Sequence, residues 1–209
     1  MRSEERKKKI LNCAKRLFSK NGFYKTQISD IAKAAKIARG TIYQYFENKD
    51  IIYMTLLDDY YKAWQEDMTM KKADIDLEKI TAVDFFKSQI RKTLDFFAND
   101  RYLSNIILRV GLGVPGDLAT TIKRFELHVL EFIMRDLRFG IKSGNIRDDL
   151  NVEFTANLLA GSVLRTASYY FGPYKRKKPL DTEKATQDII DIFVRGLFTE
   201  KALQQAGLI

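Results

Sequence analysis

An all-α fold is predicted for this chain, and three observations carry that prediction. Apolar residues recur at helical spacing along most of the sequence. The three prolines, Pro115, Pro173 and Pro179, all lie in the second half, so early helices can run uninterrupted. Gly- or Pro-containing breaks divide the rest into segments of helix length. About nine helices are expected in 209 residues, three short ones forming a head over residues 1–48 and the rest a helical domain over 49–209.

The first helix carries Ile10, Leu11, Ala14, Leu17 and Phe18 as its buried stripe and ends near Asn21-Gly22, a favourable stop. Thr26 stands where its hydroxyl can cap a second, two-turn helix with Ile28, Ile31, Ala32 and Ala35 on one face. After a turn at Lys36-Ile37-Ala38, Ile42 and Phe46 at i, i+4 place a short third helix, with Gly40, Thr41, Tyr43 and Gln44 on its other sides. Asn48 can cap a long fourth helix from Lys49 towards Met68, whose Ile52, Leu56, Tyr60, Ala63 and Trp64 tie head to body. Further helices are expected near 82–99, 101–110, 117–143, 151–171 and 182–203.

Charge is distributed unevenly. Residues 1–50 hold 13 Lys and Arg against 5 Asp and Glu, a net +8 out of the whole chain's +9. A basic head gains affinity for a polyanion by releasing counterions from phosphates, and the near-neutral remainder does not. Three short helices with a tight turn between the last two, on that basic background, match a helix-turn-helix, whose second motif helix enters the major groove.

Over residues 8–55 the chain resembles the TetR (tetracycline-repressor) family through Gly22-Phe23, Thr26, Ile28, Ile31-Ala32, Ala34-Ala35, Arg39-Gly40-Thr41-Ile42-Tyr43, Tyr45-Phe46 and Lys49. The resemblance implies a homodimer on a palindromic double-stranded DNA operator, released by a small-molecule effector. It also implies that Tyr43, Tyr45 and Lys49 meet backbone phosphates. Groove chemistry adds Arg39 for guanine, Gln44 for adenine, Gly40 for close backbone approach and Thr41 for a phosphate or a thymine methyl. Thr26, with Gln27 and the free amides of the second helix, is expected at a phosphate. Two positions depart from the family pattern. Lys36 stands where glycine is common, a strain if the turn needs positive φ, and Ala38 where serine is common, without a capping hydroxyl.

Aromatic residues in the middle helices suit a substantially apolar effector: Trp64, Phe86, Phe125, Phe132 and Tyr169, with His128 on the same stripe and Arg109 or Arg165 as anchors for an anionic one. Ordinary core packing accounts better for any single one of them, since aromatic stripes at helical spacing usually pack internally. Small residues among large ones in the last two helices, Ala156, Ala160, Gly161, Ala167, Ile189, Phe193 and Gly196, suit close helix approach at a dimer interface. The basic run Lys175-Arg176-Lys177-Lys178 reads as a solvated loop.

Other classes find little support. No phosphate loop, GxGxxG, HExxH or GxSxG is present, and with one histidine and one cysteine no enzyme, cofactor or metal site is expected. The amino terminus, MRSEERKKKI, has no apolar signal core after it, and no run of about 18 apolar residues exists; a cytoplasmic protein without membrane contact is expected. The competing reading is an effector-independent nucleoid-associated or division-coupling DNA-binding protein on the same fold, with a filled core in place of a pocket.

Overall fold

The computed structural model describes residues 3–68, 80–108, 116–172 and 180–209, and among these the secondary structure is helical apart from one isolated antiparallel bridge, Ile146 to Phe198. Arg109 and the 175–178 basic run lie outside the described residues, as does the side chain of Phe125.

The head comprises α1 (Ser3–Asn21), α2 (Ile28–Ala35) and α3 (Arg39–Tyr43). Ile10, Ala14 and Phe18 of α1 pack with Ile31, Ala32, Ile42 and Phe46 in one core. Gly22 closes α1 at φ 82°, its N–H reaching the Phe18 carbonyl at 2.9 Å. Thr26 departs from expectation. It is fully buried, its hydroxyl donates to the Gly22 carbonyl at 2.8 Å, and Gln27 takes the N-cap position. The Thr26 hydroxyl therefore braces the α1–α2 turn and is closed off from any phosphate. Asp30 completes the helix start by accepting the Gln27 N–H at 2.9 Å.

Lys36 adopts φ 54°, ψ 48° in the turn between α2 and α3, so the turn does need positive φ and this non-glycine residue carries the strain of the left-handed conformation. Lys36→Gly is expected to raise the urea midpoint, adding about 0.5–1 kcal/mol to stability, because relief of the Cβ clash outweighs the extra chain entropy. Ala38, at the N-cap of α3, makes no side-chain cap bond.

Asn48 caps α4 (Lys49–Met68), accepting the Ile51 N–H at 2.9 Å. The buried line of α4 runs Ile52, Leu56, Tyr60, Trp64, Met68. Steps of four residues rotate such a line by about 40° each, which carries the contact away from Ala63; that residue is exposed, while Tyr53 and Leu57 are buried instead.

The body adds α5 (Ala82–Asn99), α6 (Arg101–Ile107), α7 (Gly116–Lys142), α8 (Val152–Phe171), α9 (Thr182–Leu197) and α10 (Glu200–Gln205). The segment expected as one helix over 182–203 is two. Phe198 goes extended to bridge Ile146, the Thr199 N–H reaches the Asn145 carbonyl at 3.0 Å, and the Thr199 hydroxyl caps α10. That break makes ten helices among the described residues. A second core joins α5, α7, α8, α9 and α10, including Phe86, Leu94, Leu137, Ile146 and Leu159.

The first core does not stop at the head. Tyr53 of α4 meets Phe18 and Phe23 edge-on, each at 5.1 Å, and the same cluster continues through Tyr60, Trp64, Phe97, Ile106 and Val129. Two polar ties cross the same region. Lys15 of α1 pairs with Asp100 at 2.6 Å, and the other oxygen of that carboxylate caps α6 at Leu103 N, 3.1 Å. Tyr60 shares a buried hydrogen bond with Ser104 of α6 at 2.9 Å, and Ser104 donates to the Phe97 carbonyl at 2.7 Å.

Candidate DNA-reading face and body cavity

Ile42 is fully buried and Phe46 nearly so, which turns the opposite side of α3 to solvent. Arg39, Gly40, Tyr43 and Gln44 are exposed there, Thr41 is half-exposed, and Gln27 is exposed at the start of α2. Arg39 and Tyr43, one helical turn apart, form a pair: the guanidinium donates from Nη2 to the Tyr43 hydroxyl at 3.1 Å and lies 5.7 Å from the ring centroid. A β-carbon added at Gly40 would meet nothing within 4 Å, so the backbone stands open to an approaching surface. Tyr45 is half-buried against the head core.

Lys49 has a more internal place than a phosphate contact implies. Its ammonium donates to the carbonyls of Phe23 at 2.8 Å and Thr26 at 3.0 Å and sits 4.2 Å from the Phe23 ring centroid. It thereby clamps the first turn of α4 onto the α1–α2 turn, with one N–H left over. Neither carbonyl acceptor can be read from residue type, so nothing in the sequence pointed to this clamp.

In the body, a cavity of about 60 Å³ opens between α4, α5, α7 and α8. Trp64, Phe86 and Phe132, three of the effector-site candidates, line it together with Met68, Ile90, Val129, Leu159 and Val163. Its polar groups are Gln89, Thr93 and Asp136. Sequence reasoning passed over Asp136, although its signal was legible: an acid between Ile133 and Leu137, on the inner side of α7. Burial pushes the Asp136 carboxyl above the ordinary aspartate value, while the hydrogen bond and charge of Arg135 act the other way.

The other candidates sit elsewhere. Arg165 and Tyr169 are exposed on α8, on the face turned away from the cavity, because α8 buries Ala156, Leu159, Ala160, Val163 and Ala167. His128 stacks on Tyr61 at 5.0 Å on the far side of Trp64 and Phe132. Of the residues expected at the dimer interface, Ala156 and Ala167 are fully buried within the protomer, and Ala160 and Ile189 nearly so, so they pack internally. Phe193 is half-buried. Gly161 and Gly196 stay exposed, on the same helices as Phe154, Leu158 and Ile192, which are large, apolar and open to solvent. Among the described residues no cluster of three His, Cys, Asp or Glu side chains could hold a metal ion, and no helix is long and apolar enough to cross a membrane.

Residues 10–53 match the family described as bacterial regulatory proteins, tetR family. The fatty acid metabolism regulator protein of Bacillus subtilis is 27% identical over 192 residues, covering 90% of this chain and 93% of its own. The transcriptional regulator HbdR of an Aromatoleum strain is 49% identical over 61 residues, 27% of each chain. The crystal structure of FadR from Bacillus subtilis in complex with stearoyl-CoA superposes with a TM-score of 0.75 at 26% identity, covering 90% of this chain and 98% of that one. With its basic three-helix head and exposed α3 face, the chain carries over residues 10–53 a DNA-binding head matching the tetR family of bacterial regulators, is similar over most of its length to regulators of that kind, and is a DNA-binding transcriptional regulator.

Proposed function

We propose that this protein is a homodimeric repressor that grips a palindromic operator through two copies of α3 and releases it when an apolar small molecule enters the body cavity. One observation carries the reading: α4 belongs to both sites. Its Ile52, Tyr53 and Leu56 stand in the core shared with the head, and its Trp64 and Met68 form part of the cavity wall. A drug-sized ligand needs roughly 300–1,000 Å³, far more than the 60 Å³ present, so occupancy has to part the walls. Movement of α4 then swings the head. Half-sites lie about one helical turn, roughly 34 Å, apart, and a small pivot misaligns one α3 with its groove. The stearoyl-CoA bound by a structural relative supports an effector with a long apolar chain.

In this reading the head is residues 1–48, and Arg39 and Gln44 read base edges. Gln27, Thr41, Tyr43 and the outward edge of Tyr45 hold phosphates around the open Gly40 backbone. Thr26 and Lys49 set the shape of that surface from behind. Phe154, Leu158 and Gly161 of α8, with Ile192 and Gly196 of α9, supply the dimer face.

Selection of duplexes from a randomised library by the purified protein tests this directly. A palindrome with half-sites one turn apart is expected, with affinity for it falling at least tenfold when stearoyl-CoA is added. Binding to many unrelated sequences, indifferent to the ligand, would instead mark an effector-independent DNA-organising protein.

A further inference from the structure

We propose that a second, polar pocket between α4 and α7 receives the anionic head of the effector whose apolar part fills the cavity, and that Arg135 selects that head. This rests on the effector reading above and adds the ligand's orientation and chemistry. The pocket, about 260 Å³, is walled by Trp64 and Phe132, the same two side chains that wall the cavity. They meet edge-on at 5.7 Å, so one aromatic pair separates the two spaces. Arg135 lies on the polar side, 4.2 Å from the Phe132 ring centroid, and donates at 3.1 Å to Asp136, which lines the apolar side.

The two linings differ in what they accept. In the cavity, Gln89, Thr93 and Asp136 offer no cation, and a carboxylate at Asp136 repels an anion. In the pocket, Tyr61, Gln65, His128 and Arg135 can all donate hydrogen bonds, against the single carboxylate of Glu131. The Nδ1 of His128 is buried without a hydrogen-bond partner among the described residues, a group for which a bound acceptor supplies what the protein does not. An amphipathic anion therefore fits one way round, with its chain between α5 and α8 and its head beside Arg135.

Trp64 is the chain's single tryptophan, so its emission reports from the dividing wall. Dodecan-1-ol, dodecanoate and dodecanoyl-CoA, each below micelle formation, are titrated into wild type, Arg135→Gln and the cavity-filling Val163→Trp, with calorimetry as an independent readout. Arg135→Gln is expected to weaken at least one of the two anions about tenfold, the scale of a lost charge-assisted hydrogen bond, and to leave dodecanol within about twofold. Loss confined to dodecanoate assigns a carboxylate head, and loss confined to the thioester a phosphate-bearing one. Val163→Trp is expected to block all three, with circular dichroism confirming that it folds. Dodecanol bound by wild type and blocked by Val163→Trp, with neither anion sensitive to Arg135→Gln, overturns the head pocket while the cavity reading stands. No binding of any probe to wild type overturns the cavity reading itself, and the head pocket with it.

Discussion

Replacing Arg39 by alanine is expected to lower operator affinity on the order of a hundredfold or more while the protein stays folded and dimeric. A guanidinium that bonds guanine O6 and N7 contributes about 1–3 kcal/mol of discrimination, and a symmetric dimer presents it twice. Arg39 is exposed and its contact within the chain is the surface pairing with Tyr43, so its loss leaves the head core untouched. Tyr43 holds the guanidinium against the α3 surface, and base recognition on the operator requires that bond to be exchanged for one to a base. Repeating the library selection with Arg39→Ala separates reading from positioning. Relaxed preference at one base pair per half-site supports base recognition, whereas a uniform loss with an unchanged consensus would reassign Arg39 to the phosphates. Tyr43→Phe is the companion measurement. Removing one phosphate bond per half-site is expected to weaken binding about three- to thirtyfold without altering the consensus.

The head could be read from sequence because its physics is local. Ile10, Ala14 and Phe18 on one face, Gly22 at the stop and Asn48 at the α4 cap each follow from spacing and backbone preference, and each holds the place that its residue type implied. The strain at Lys36 was legible for the same reason. Thr26 shows where such reasoning gives out. A threonine before a helix suggests a cap, but its neighbours across the turn decide whether the hydroxyl faces outward, and here it bonds the Gly22 carbonyl inside the head. The break at Phe198 was equally hidden, because the Ile146 bridge that fixes it comes from 52 positions away in sequence. Small residues in α8 and α9 signalled close packing without saying against what: Ala156 and Ala167 face inward, while Gly161 and Gly196 face solvent. The cavity was partly legible through Trp64, Phe86 and Phe132, since aromatic residues on facing helices converge. Arg165 and Tyr169 were misread because residues on the outer face of α8 share the same chemistry.

Ile192→Glu is expected to raise the dimer dissociation constant by about a thousandfold or more, with operator affinity collapsing alongside it. Ile192 is 76% exposed in the protomer, and Phe154 and Leu158 of α8 are 67% and 51% exposed, an arrangement that a lone soluble chain has no packing reason to keep. Burying one isoleucine side chain is worth about 1.5–3 kcal/mol, and a two-fold axis counts each residue twice. Glutamate removes that gain and adds two carboxylates whose desolvation costs several kcal/mol each, roughly, when they lack partners. Protomer stability should hardly change, because the side chain points to water. Sedimentation velocity measures the assembly and circular dichroism the fold. Phe154→Glu is expected to act in the same direction if α8 and α9 form one surface. A dimer indifferent to both substitutions would move the interface away from these helices, with the 70%-exposed Phe139 of α7 the next position to test. A monomer that remains folded would tie operator binding to pairing of the heads, since one α3 alone retains only a single half-site's contacts.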